Sequence, residues 1–148
     1  MNDPLAAAAL VLFRVQEEGF REVLAGLPDE ALNWRPGPDT NSIAVLVEHA
    51  WGSAAAWTAR SVGLEIPRDR AAEFRAQRDG PELREVVARG LARVEALLAS
   101  ADPARYGEAG EPAESHSRAW CLLHAVEHTS EHLGQAQLTR QLWQQRWA

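Results

Sequence analysis

Four of the five histidines in this chain stand where imidazoles could gather around a metal ion: His49 by itself, and His124, His128 and His132 in a row with spacings of four. On a helix, residues four apart lie one above the other on a single face, so two such imidazoles can reach one ion. His124 and His132 are two turns apart, roughly 12 Å of helical rise, and do not readily share it. Spacing alone leaves two pairs open, His124 with His128 or His128 with His132, and makes His128 the common member. Zinc, nickel, iron and manganese are all compatible with a set of imidazoles.

The same row matches the pattern H-x-x-E-H twice, from His124 to His128 and from His128 to His132. In some zinc peptidases that spacing supplies two ligands and a carboxylate base. A chain of this size with no evident acidic third ligand or substrate-binding sheet makes a poor peptidase. Glu127 and Glu131 are nonetheless the candidate general bases, or else partners that hydrogen-bond a ligand imidazole. Cys121, next to Trp120, reads as a small buried hydrophobe, because the sequence sets no basic residue beside it to ionise the thiol. Trp34, Trp51, Trp57 and Trp120 read as packing residues that could also line an apolar cavity.

These side chains need helices to hold them. Asp3 and Pro4 supply a cap acceptor and a first-turn proline, so a first helix runs from there to about Leu24. Residues 6–13 are apolar on every side, which implies either a second covered surface, such as a partner subunit, or alanines tolerated in water. Residues 27–41 carry Pro28, Pro36, Gly37 and Pro38 and read as a structured connection. A second helix starts near Asn41 or Ser42, places Ile43, Leu46, Val47, Ala50, Ala54 and Trp57 on one stripe with His49 at its edge, and ends by Gly63.

Residues 63–80 form a long charged crossover in which residues 68–78 could make a short exposed helix. Asp79, Gly80 and Pro81 open a third helix with Leu83, Val86, Val87, Leu91, Val94, Leu97 and Leu98 on its inner face. After a connection at residues 102–114, the last helix runs from about Ser117 to Trp143. It carries Leu122, Val126, Leu133 and Ala136 on one face and Trp120, His124, His128 and Leu138 on another, so both faces should be covered. The expected fold is all-α: a single four-helix-bundle domain over residues 1–148, with the crossover between helices two and three allowing a non-sequential packing order.

Composition narrows the function classes. The chain has 148 residues, 46% of them hydrophobic, which suits one domain with one core. Its formal net charge is −6 and its basic residues are all arginines scattered among acids, so nucleic acid is not an expected partner. A single cysteine excludes an intrachain disulfide and fits a reducing, cytoplasmic setting. The apolar run near the N-terminus follows Asn2 and Asp3 rather than basic residues and is far short of the roughly 20 residues of a spanning helix, so no membrane association is expected.

The stretch Asn33-Trp34-Arg35-Pro36, then Asn41-Ser42-Ile43 leading to His49, then His128-x-x-x-His132 with Gly134-Gln135 just beyond, resembles the DinB-like superfamily of four-helix metal-binding proteins. The likeness runs in order along nearly the whole chain. It implies that the three metal ligands are His49, His128 and His132, with His124 and Trp120 lining the cavity or supporting the ligands. It also implies an up-down-down-up bundle, a metal at one end in an open cavity, and frequent homodimers. Members include S-transferases that use bacillithiol, mycothiol or glutathione, and a mycothiol-dependent maleylpyruvate isomerase; many others have no known activity. The resemblance thus implies one divalent ion and a low-molecular-weight thiol as cofactors, with a small electrophile as substrate. A non-catalytic metal-binding or stress-response protein is the other expectation. Leu133 departs from the pattern, standing where many members carry Arg.

Overall fold

The computed structural model describes residues 3–110 and 116–146. It is all-helical, with six α-helices, one 3-10 turn and no strand among the described residues. Four helices are long: α1 (Pro4–Leu24), α3 (Ile43–Ser61), α5 (Gly80–Leu98) and α6 (Arg118–Gln145). Two are short: α2 (Asp29–Asn33) and α4 (Arg70–Glu73). Each long helix begins on a side chain that accepts a backbone N–H. Asp3 caps α1, Ser42 caps α3 and Ser117 caps α6, while Asp79 and Glu82 form a reciprocal capping box on α5. A cap of this kind contributes about 1 kcal/mol and fixes where the helix starts.

The long helices pack as a ring, α1 against α5 and α6, and α3 against the same two. Side chains register them along their lengths. On α1, Gln16 donates to the Val126 carbonyl at 2.9 Å and to Ser130 at 2.7 Å. Near the other end of that pair, Arg140 donates to the Val23 carbonyl at 2.7 Å. Arg14 meets Glu95 of α5 at 2.8 Å. The core fills the space between, and its largest member is Trp51, 2% exposed. Its ring lies 6.5 Å from Phe13 and 6.1 Å from Phe20, a tilted aromatic cluster of the kind that adds about 0.5–1.5 kcal/mol per pair to the burial itself. Gly90 makes room for it on α5, since a Cβ there would sit 2.7 Å from the indole.

Three expectations from the sequence need correction. The connection at residues 27–41 contains the helical turn α2, which Pro28 initiates and Asp29 and Glu30 favour at its first turn. Within the crossover only Arg70–Glu73 is helical, and that turn is not fully exposed, because Glu73 is buried. On α6, Leu138 is 55% exposed and Leu123 is 56% exposed, so this chain alone does not cover both faces. Part of the connection at residues 102–114 lies outside the described residues; the rest includes the 3-10 turn Pro103–Arg105. No helix among the described residues is long and apolar enough to cross a membrane.

Candidate metal centre

His49 comes from α3, two residues before the core residue Trp51, and it is 5% exposed. His128 and His132 come from the face of α6 that lies against α3, and both are half-buried. One nitrogen from each of the three lies within 4.8 Å of the other two, so the group could hold a metal ion. The Nε2 atoms of His128 and His132 are 3.4 Å apart. Ligands about 2.1 Å from an ion are separated by roughly 3.0–3.4 Å in octahedral or tetrahedral geometry, so the pair already has the spacing of adjacent ligands. His124 is not in the group; of the two pairs that spacing left open, His128 with His132 is the one brought together with His49.

The hydrogen bonds on the far sides of the rings decide which nitrogen is free. His49 Nδ1 is 2.9 Å from Glu73 Oε2. Arg68 clamps that carboxylate from below, Nε to Oε1 and a terminal nitrogen to Oε2, both at 2.7 Å. Burial alone would push the Glu73 carboxyl up, but the hydrogen bonds from His49 and Arg68 and the adjacent guanidinium charge outweigh it and hold it below its ordinary range. An ionised Glu73 can only accept, so His49 carries its proton on Nδ1 and presents a bare Nε2 to the other two rings. His132 is fixed in the same sense: its Nδ1 donates to Gln135 Oε1 at 2.9 Å, and the Gln135 amide is in turn aimed by Glu131 at 3.2 Å. Nδ1 of His128 is buried and has no hydrogen-bond partner among the described residues, making it the least constrained of the three.

Converging nitrogen lone pairs attract a cation, and burial opposes protonation of the rings that carry them. Burial first, then the neighbouring His132, His49 and His124 rings and Arg68, push the His128 imidazole down to about 4. Burial likewise lowers His132, and the Gln135 hydrogen bond only partly offsets it. The donor set suits a divalent ion: three converging imidazoles, and outer partners that orient two of them. The residues fit the group.

The remaining sequence candidates stand around this centre. His124 is stacked on Trp120 with centroids 4.7 Å apart and meets Trp57 edge-on at 4.8 Å. Its ring is 5.4 Å from that of His128, so the aromatic group of Trp57, Trp120 and His124 borders the centre along α6. Glu127 is exposed and lies 3.1 Å from His124 Nδ1. Glu131, also exposed, reaches His132 only through Gln135. Leu133 turns the other way and lies against Gly19 of α1, which makes it a packing residue and not part of a rim. Cys121 is buried.

The sequence reading missed Glu73 and Arg68. Both lie in the charged crossover, where acids and arginines normally signal a solvated surface. One signal was present: Gly52 sits inside α3, where glycine costs about 1 kcal/mol relative to alanine and therefore asks for a reason. The reason is close approach, since a Cβ at residue 52 would collide with Glu73 Oε1. The motif residues upstream also have defined work. Asn33 bridges to the Arg78 backbone at 2.9 and 3.0 Å and so pins the end of the crossover, and Trp34 packs edge-on against Trp143 at 5.6 Å.

The sequence profile of the DinB superfamily matches residues 12–136, which takes in all three histidines and the crossover. The chain belongs to the DinB superfamily. A solved structure of a conserved protein from Enterococcus faecalis is similar to it, with a TM-score of 0.76 at 17% identity, covering 92% of this chain and 95% of that one. At that identity the likeness speaks for the fold alone. Among curated proteins, none matches the chain.

Proposed function

We propose that this DinB superfamily protein holds one divalent ion, zinc, nickel, iron or manganese, on His49, His128 and His132, and transfers a low-molecular-weight thiol to small electrophiles. The observation that carries this reading is the convergence of three imidazoles whose opposite edges are held by Glu73 and by Gln135. Three protein ligands leave at least one coordination position for a substrate, the arrangement of catalytic rather than structural sites. When bound, the ion would supply positive charge that lets a thiol ionise at neutral pH.

The chain's own residues do the rest. Glu73 and Arg68 orient His49; Glu131 acts through Gln135 as a positioning residue for His132. Trp57, Trp120 and His124 give the centre an aromatic flank against which a planar electrophile could pack. In this reading His124, with Glu127 at its Nδ1, receives the thiol proton and passes it to water. For a haloarene the C–S bond forms, the C–halogen bond breaks, and the halide leaves with the bonding pair.

The finer architecture belongs to the same reading. Pairing of Gln16 with Val126 and of Arg140 with Val23 supports α1 and α6 running the same way. Gly80 at the start of α5 donates to Asp29 just beyond α1, and Tyr106 just beyond α5 donates to Asp3 at the start of α1, which supports α5 running opposite to α1, as the up-down-down-up order requires. A cytoplasmic location and a homodimer complete it. For the homodimer, Val11, Leu12 and Val15 of α1 are 59%, 48% and 59% exposed, an apolar face that a second copy would cover.

The test is consumption of bacillithiol, mycothiol and glutathione by metal-loaded protein with 1-chloro-2,4-dinitrobenzene. Acceleration with bacillithiol or mycothiol ahead of glutathione, lost in the apo protein and in His128→Ala, supports the transferase. The second reading, a non-catalytic metal-binding or stress-response protein, is favoured by the packing of Trp57 and Trp120 about His124, which closes that flank with side chains. It is the conclusion if metal binds tightly and no thiol reacts above background.

A further inference from the structure

A cleft of about 550 Å³ lies between α3 and α5 under the crossover, and four arginines line it: Arg68, Arg78, Arg89 and Arg93. Its volume is that of a small-molecule site. Trp51, Val86 and Ile66 give it apolar walls. The cleft is separate from the metal centre. Glu73 and Arg68 line it and touch His49 on the Nδ1 edge, the edge facing away from His128 and His132.

The carboxylates on the cleft wall are already engaged. Glu48 takes Arg78 at 2.8 Å, Glu73 takes Arg68 and His49, and Asp69 accepts the Ala72 N–H as the cap of α4. Among the described residues, two guanidinium groups on α5 are held less tightly. Arg89 has only a solvent-exposed contact with Glu85 at 3.4 Å, and Arg93 has no acidic residue three or four positions away on its helix. Arg89 and Arg93 are themselves four apart, a like-charge pair that costs a helix a few tenths of a kcal/mol unless an anion bridges it. Local positive charge of this kind on a chain with a formal net charge of −6 is a selective feature, not a general field.

We propose that this cleft binds a small organic dianion with an apolar body, a phosphate monoester or a dicarboxylate, its charge forked by Arg89 and Arg93 and its body against Val86 and Ile66. Guanidinium groups match both anions bidentately. The site goes beyond the metal-dependent reading and does not depend on it, because none of its anion-binding groups is a metal ligand.

Calorimetric titration of the metal-free protein tests it, with phenyl phosphate, phthalate and phenol as probes, so that binding to an ion plays no part. Phenyl phosphate or phthalate should bind, whichever is tighter naming the anion, and phenol should bind at least tenfold more weakly. Arg89→Gln with Arg93→Gln, both on the exposed side of α5, should weaken the anion at least tenfold while leaving the melting temperature and the zinc affinity unchanged. The proposal is overturned if neither anion binds, if phenol binds as well as they do, or if the double variant binds them as tightly as the parent. Failure of zinc binding or thiol transfer would leave these outcomes unaffected, so the two readings fail separately.

Discussion

Replacing Glu73 with Gln tests whether the carboxylate in the crossover sets the metal centre. The substitution keeps the shape and an acceptor for His49 but removes the charge that both His49 Nδ1, at 2.9 Å, and Arg68, at 2.7 Å, depend on. Groups that orient a metal-bound histidine typically contribute 10–100-fold in metal affinity, about 1.4–2.7 kcal/mol. The geometry argues for the upper part of that range. A terminal nitrogen of Arg68 already sits 3.2 Å from His49 Nδ1. Once the carboxylate no longer claims the Nδ1 proton, Arg68 can donate to that nitrogen instead, which moves the ring proton to Nε2 and blocks the atom the ion needs. Competition with a chromophoric zinc chelator measures the loss, and circular dichroism in excess chelator checks that the fold survives. Glu131→Gln, acting one residue further away through Gln135, should cost no more than a few-fold. The reasoning is refuted if Glu73→Gln, still folded, binds zinc within twofold of the parent.

Further outcomes follow from the same structure. With the His128 imidazole held at about 4 against an ordinary 6.5, the unfolded chain takes up this proton first as pH falls. Metal-free stability should therefore be full above pH 6.5 and decline towards pH 4, by about 3 kcal/mol at most from this group, with His132 adding in the same direction; chemical denaturation at several pH values in chelator reads the slope, and a flat profile contradicts it. Gly52→Ala should lower zinc affinity at least tenfold by displacing Glu73 even though alanine favours the helix by about 1 kcal/mol; unchanged affinity would mean that the crossover simply yields. His116→Ala should leave zinc affinity unchanged and His124→Ala should reduce it modestly; a loss at His124 equal to that of His128→Ala would shift the ligand pair. Val11→Glu with Val15→Glu should convert a dimer into a monomer by light scattering, and a parent that is monomeric at micromolar concentration removes the dimer.

The long helices could be read from the sequence because their signals are local. Asp3 with Pro4, Ser42, and Asp79 with Glu82 are side chains that satisfy backbone donors within their own first turn, and the structure starts α1, α3 and α5 at those residues. The turn α2 escaped because five residues among prolines leave no period to detect. Spacing could not choose between the two histidine pairs, since the choice depends on how far along α6 the side chain of His49 arrives, and that is set by packing of α3 on α6. The resemblance made the choice, and the three residues it names are the ones that converge. Glu73 was illegible for a non-local reason: it is 24 residues from its partner, and only the folding back of the crossover onto Gly52 turns a charged surface residue into a buried one. Arg68 shares that reason.

X-ray absorption on zinc-loaded protein purified without a polyhistidine tag addresses the metal centre most directly. The account predicts one tightly bound ion per chain with three imidazole ligands, and His128→Ala should reduce the count to two together with a large loss of affinity. An ion surrounded by fewer imidazoles in the parent, or one whose coordination and affinity are the same in the His49→Ala, His128→Ala and His132→Ala variants, would contradict it.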